Sequence, residues 1–256
     1  MTRRTDQIGF SQRVHLQWLE QTANLVLAGN DKAAVNDALQ ELLKDKVSVS
    51  GQAERGNREK IITILLKVWL KPPNGLETLR EDGLELLKRV PQGDHLAIHW
   101  GMVMAVYPFW AEVAGHVGRL LKIQGSVAAS QIQRRIREQY GERETVARAT
   151  RRIIRSSLDW GVIQEGKTKG HYCQGRKVDI SDMSLATWLI EAILFARPSR
   201  RGTIKELTES PSLFPFTLHV NLFNNSVKTN HRLEIVRQGL DDTLLVLKQE
   251  SGEGTG

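Results

Sequence analysis

The stretch from Leu96 to Val117 is largely apolar and long enough to span a bilayer as a helix. It also carries His99, Pro108, Glu112 and His116, each costly in hydrocarbon, so it reads as a core helix broken at Pro108. Such a segment must be covered by other elements, and the chain has material for them. With 256 residues, 40% hydrophobic and 25% charged, it matches ordinary globular usage and fits one to three domains. A chain of this size buries well over half of its unfolded surface and needs no disulfide or metal to fold. The single cysteine, Cys173, excludes an internal disulfide and a multi-cysteine zinc site. The opening MTRRTDQIGF has no apolar signal-peptide core, so a cytoplasmic protein with no membrane partner is expected.

Residues 1–106 read as a helical bundle. Ser11 is placed to cap a helix running to Leu27, with Val14, Trp18 and Leu25 in its apolar stripe and Gly29 ending it. Asn30 or Asp31 opens the next, where Val35, Ala38, Leu39 and Leu42 fall at helical spacing. Val47 to Gly56 is a polar loop. The run IITILLKVWL centres a helix over Glu59–Leu70 that Pro72 and Pro73 stop. Asn74 is expected to cap GLETLREDGLELLKRV, which Pro91-Gln92-Gly93 breaks, and two further helices flank Pro108. Residues 178–256 read as a C-terminal α/β extension. It starts with a helix capped by Asp182 and carrying Leu185, Trp188, Leu189, Ile193 and Leu194. An irregular or partly extended SPSLFPFTLHVNLF follows, then a β-hairpin from LEIVRQ and TLLVLKQ across GLDD, and a loose SGEGTG tail.

The formal net charge is +7, and its distribution says more than its size. Between Gly125 and Lys177 there are 12 basic residues against 5 acidic, while the rest of the chain balances at 24 of each. A neutral protein carrying one basic module has the make-up of a phosphate-backbone binder. The alternative is a solvated helical face, or one used for protein contact.

The order of elements through that window, residues 107–177, narrows the choice. Phe109–Ile123 forms a first helix and Gly125 turns. Ser130–Tyr140 forms a second, with Ile132 and Ile136 inward and Arg134 and Arg135 outward, and Gly141 turns again. A third helix runs from Glu144 to Asp159. Val146, Ala149, Ile153 and Ser157 line one stripe of it, and Thr145, Arg148, Arg152 and Arg155 another, with Arg151 alongside. Trp160-Gly161 stops it, and VIQE and HYCQ are strands around the lysine-bearing turn GKTKG. Helix–turn–helix followed by a basic hairpin is the layout of a winged helix-turn-helix domain. The run ETVARATRRIIRSSLDWGVIQ resembles the recognition helix and first wing strand of bacterial winged helices. It departs from them in a helix about one turn longer and in Thr150 where Leu is usual.

Other motifs are weaker. Gly161–Thr168, GVIQEGKT, matches the P-loop letter for letter, but a P-loop needs a buried strand before it and a helix after it. Here a basic helix precedes and a strand-like segment follows, so a nucleotide-hydrolysing enzyme is the least favoured reading. Glu165 and Lys167 form an E-x-K with no acidic partner at hairpin distance. His95 and His99 stand at i, i+4 without a local acidic or cysteine ligand, and read as core or surface histidines. No metal, cofactor or nucleophile–base motif is readable, and no enzyme is expected.

The whole order also resembles the BrxA proteins of bacterial BREX phage-defence systems, over roughly residues 11–165. The matching features are LQWLEQ, SGQAERGNREKIITILLKVWL, and YPFWAEV leading into the basic window. That resemblance implies a non-enzymatic component binding double-stranded DNA, with a bundle open to contact with other defence proteins. The expected contacts are Thr145, Arg148, Arg152 and Arg155 along the groove, with Arg143 beside them. Arg134, Arg135 and Arg151 would lie on phosphates, and Lys167 and Lys169 on the neighbouring backbone or minor groove. A protein–protein adaptor or a transcription repressor would use the same surface.

Overall fold

The computed structural model describes residues 8–47, 56–218, 230–238 and 242–248. The chain is mainly helical with small sheets. The polar loop around 48–55, the end of the aromatic segment after Leu218, the hairpin's connecting residues 239–241 and the tail lie outside the described residues.

The apolar stretch behaves as expected. It divides into α5 (His95–Val106) and α6 (Pro108–Gln124), with Pro108 at the first position of the second helix, where its missing N–H costs nothing. Every residue from Leu96 to Val106 is buried, so α5 is the axis of the molecule. Around it pack α1 (Leu16–Leu27), α3 (Asn57–Trp69) and α4 (Glu77–Arg89), with α2 (Lys32–Leu43) beyond α1 and α3. From the other end of the chain comes α9 (Met183–Ala196), buried from Leu185 onward and lying against α5. Among the described residues no helix is long and apolar enough to cross a membrane.

Between α6 and α9 the chain builds the basic stretch. Gly125, at a φ of 71°, turns α6 into β1 (Ser126–Ala128), and α7 (Ala129–Tyr140) follows. Gly141 leads to α8 (Glu144–Asp159), then β2 (Ile163–Glu165) and β3 (His171–Gln174). The three strands form an antiparallel sheet ordered β1-β3-β2, with Ala128 opposite His171 and Glu165 opposite Tyr172. β1 is an element the sequence analysis missed, since three residues after a glycine carry no readable period. A two-stranded parallel sheet joins β4 (Val178–Ile180) to β6 (Phe216–Leu218). The last sheet is ordered β5-β8-β7, from β5 (Arg201–Thr203), β7 (Leu233–Gln238) and β8 (Asp242–Leu247), with the short α10 (Ile204–Thr208) after β5. The expected C-terminal hairpin is therefore present as β7 and β8.

Two expected caps are not used. Ser11 does not start α1, which begins at Leu16 behind His15. Residues 8–15 form no helix, and the backbone at Val14 is held elsewhere. Val14 N donates to Ser156 Oγ at 3.0 Å, and Trp160 Nε1 donates to Val14 O at 2.9 Å. Asn74 does not cap α4 either; Gly75 N donates to Glu77 Oε2 at 2.6 Å, and Leu76 occupies the cap position without a side-chain bond. Asp31 and Asp182 do cap, accepting from Ala34 N and Leu185 N at 2.8 and 2.9 Å.

Candidate nucleic-acid interface

The sorting of side chains on α8 follows from its period. Val146, Ala149, Thr150, Ile153, Ile154, Ser156 and Ser157 are buried, and Thr150 Oγ1 satisfies itself by donating to Val146 O at 2.8 Å. Thr150 is thus a small inward residue with its hydroxyl bonded inside the helix. The opposite face carries Thr145, Arg148, Arg151 and Arg155 in solvent and Arg152 half-buried.

The arginines differ in what holds them. Arg148 Nε and Arg151 Nη2 both reach Glu144 Oε1, each at 2.9 Å. Arg134 and Arg135 share Glu138 on α7, at 3.7 and 3.3 Å. Arg143, at the N-cap of α8, donates to Tyr140 O at 3.2 Å. Among the described residues Arg152 and Arg155 form no ion pair. Arg152 is pushed below its ordinary value first by burial, then by Arg155, Arg151, Arg148 and Arg13, with no carboxylate opposing them. A half-buried cation among four others is a place where an incoming anion relieves repulsion.

Arg13 is the member that sequence reasoning missed. It comes from the segment before α1 and pairs with Asp159 at the end of α8, its Nε and Nη2 donating to the two carboxylate oxygens. His15 stands 3.6 Å from the same carboxylate. Nothing local in the sequence marks this contact, which spans 146 positions.

Lys167 and Lys169 are exposed on the turn between β2 and β3 and form no ion pair among the described residues. Gly166 N donates to His171 O and His171 N to Thr168 O, which closes that turn. The P-loop pattern thus covers the turn after α8, β2 and a hairpin turn. A strand follows it, so the helix N-terminus that would hold phosphates is missing from this place. Glu165 ends β2 as an exposed residue.

His95 and His99 belong to the core network. Trp69 Nε1 donates to His99 Nδ1 at 3.1 Å, which places the His99 proton on Nε2, 2.7 Å from Glu20 Oε2. His95 Nδ1 lies 2.9 Å from the other Glu20 oxygen. The bond from His99 is the main cause holding Glu20 down to about 2, and burial keeps His99 below its ordinary value. Among the described residues no group of His, Cys, Asp and Glu is placed to hold a metal ion. No family model, curated protein or solved structure matches the chain.

Proposed function

We propose that this protein binds double-stranded DNA without acting on it chemically, through a winged helix made of α6, α7, α8 and the β1-β3-β2 sheet. The observation that carries the reading is Arg152, half-buried, in no ion pair among the described residues, and within electrostatic reach of Arg148, Arg151, Arg155 and Arg13. A duplex supplies closely spaced phosphates that such a surface lacks, and its major groove admits a helix. At 16 residues α8 is about 24 Å long, enough to lie in the groove with its first turns at base edges. In this reading Thr145, Arg148, Arg152 and Arg155 follow the groove and Arg143 stands at its entrance. Arg134, Arg135 and Arg151 take phosphates, and Lys167 and Lys169 on the wing reach the adjoining backbone or minor groove. The sequence resemblance to BrxA proteins is what supports a place in a phage-defence assembly, with the bundle facing other components.

The test is fluorescence anisotropy of a random-sequence duplex over a range of salt. Affinity is expected to fall with a log–log slope of roughly −4 to −7. The double variant Arg148→Glu/Arg152→Glu is expected to weaken binding at least ~100-fold near physiological salt, with the thermal midpoint nearly unchanged. Equal affinity of the variant overturns the assignment. An absence of binding at low salt gives the surface to an acidic protein partner instead.

A further inference from the structure

The hydrogen bonds at the start of α8 single out Glu144. Arg148 and Arg151 both donate to one carboxylate oxygen, Oε1, and among the described residues Oε2 accepts from no protein group. The side chain is 61% exposed and belongs to the first residue of the helix, on the side that carries the arginines. Its two arginine partners hold it below the usual carboxylate range, so at neutral pH it is ionised and can only accept.

An ionised carboxylate is misplaced on a surface that serves phosphates alone, because every phosphate repels it. A first-turn acid does suit the helix dipole, but the dipole asks nothing of where the second oxygen points. In the major groove, two base edges offer a donor: the amino groups of cytosine and adenine. Adenine sets its N7 acceptor beside that amino group, which opposes a carboxylate, whereas cytosine presents only its N4 amine. The guanine paired with that cytosine offers O6 and N7, the acceptors an arginine takes with two bonds. Arg148 and Arg151 already stand beside Glu144.

Resting on the DNA-binding reading above, we infer that Glu144 is a specificity-determining residue. Its free Oε2 accepts from a cytosine amino group while Arg148 engages the guanine of that pair. The DNA favoured by this protein then has a C·G pair facing the first turn of α8. Binding to other sequences carries the penalty of leaving Oε2 without a donor in the groove.

The experiment is enrichment of a random duplex pool by the full chain and by Glu144→Gln, with random-duplex affinity measured across salt for both. Wild type is expected to enrich C at one position. Glutamine, which pairs with adenine N6 and N7, is expected to move that position toward A. Glu144→Gln is also expected to bind random duplex several-fold more tightly, with a salt slope steeper by about one phosphate's worth, ~0.9. A purely structural role would shift the thermal midpoint and leave the enriched base in place. The same base enriched by both proteins overturns the inference and leaves DNA binding standing, as does tighter binding by the variant with no base preference in either. Failure of wild type to bind any duplex overturns both.

Discussion

Glu20 stands between two imidazoles, and this arrangement gives the protein a direction of response to acid. His99 is fully buried and neutral, its proton committed to Glu20 because Trp69 donates to its other nitrogen. Its folded value lies below the ordinary 6.5, so on acidification the unfolded chain takes up the proton first and stability falls below about pH 6.5. Glu20, held down to about 2, contributes stability that is present above its ordinary 4.5 and is lost as pH falls toward 2. The thermal midpoint is therefore expected to drop in two stages, from about pH 6.5 and again from about pH 4.5. His99→Gln should lower the midpoint at neutral pH and make the upper stage shallower, with His15 and His116, also lowered by burial, accounting for the remainder. An unchanged upper stage in the variant would remove His99 from this role. The two histidines were legible as partners on one helix face, but Glu20 was not, because it arrives from 75 and 79 positions away. Arg148, Arg152 and Arg155 were legible for the opposite reason. A helical period alone sorts them from Val146, Ala149 and Ile153, whereas Arg13 joins them through a tertiary contact that no period records.

The packing of α5 on α9 turns on a missing side chain. A Cβ at Gly101 would sit 2.5 Å from Trp188 Cζ3 and 3.0 Å from Leu189 Cδ2. Trp188 has little room to retreat, since its Nε1 donates to Leu79 O at 2.8 Å. A helix-interior glycine normally gives way to alanine with a gain of up to about 1 kcal/mol. Here Gly101→Ala is expected to destabilise by about 1–3 kcal/mol, seen as a lower urea midpoint at unchanged slope. A higher midpoint would show that the two helices shift apart freely. Elements with a local cause were readable from the chain: Pro108 divides α5 from α6, Asp31 and Asp182 cap, and Gly125, Gly141 and Gly161 turn at positive φ. Elements with a distant cause were not. Ser11 has the chemistry of a cap, yet the chain just beyond it is held at Val14 by Ser156 and Trp160. β1 exists because β3 pairs with it.

At the scale of the molecule, one continuous buried cluster runs from Phe10 to Leu247. Trp100 of α5, Trp110 of α6 and Trp160 after α8 touch one another, with Trp110 and Trp160 stacked at 4.8 Å. The C-terminal sheet is fastened to the same core by charge. Arg232 engages the wholly buried Glu191 on α9, which also accepts from Asn230, and reaches Asp82 on α4. A fragment ending at Lys177 would lack α9 and uncover the side of α5 that α9 packs against. It is expected to bind a hydrophobic dye and to elute as aggregate, while a monomeric fragment with native near-ultraviolet circular dichroism would contradict this reading. The basic stretch is thus built into the body rather than hung from it. The segment Phe10–Val14 before α1 adds an order of events. Its partners, Ser156, Asp159 and Trp160, are synthesised more than 140 residues later, as the separations of 142 and 146 positions record. On the ribosome Phe10 waits for Tyr107 and Trp110, and Arg13 and Val14 wait until α8 has emerged from the exit tunnel. The segment is therefore locked only after α8 has been made, and slow translation of the basic region prolongs the interval before that contact forms.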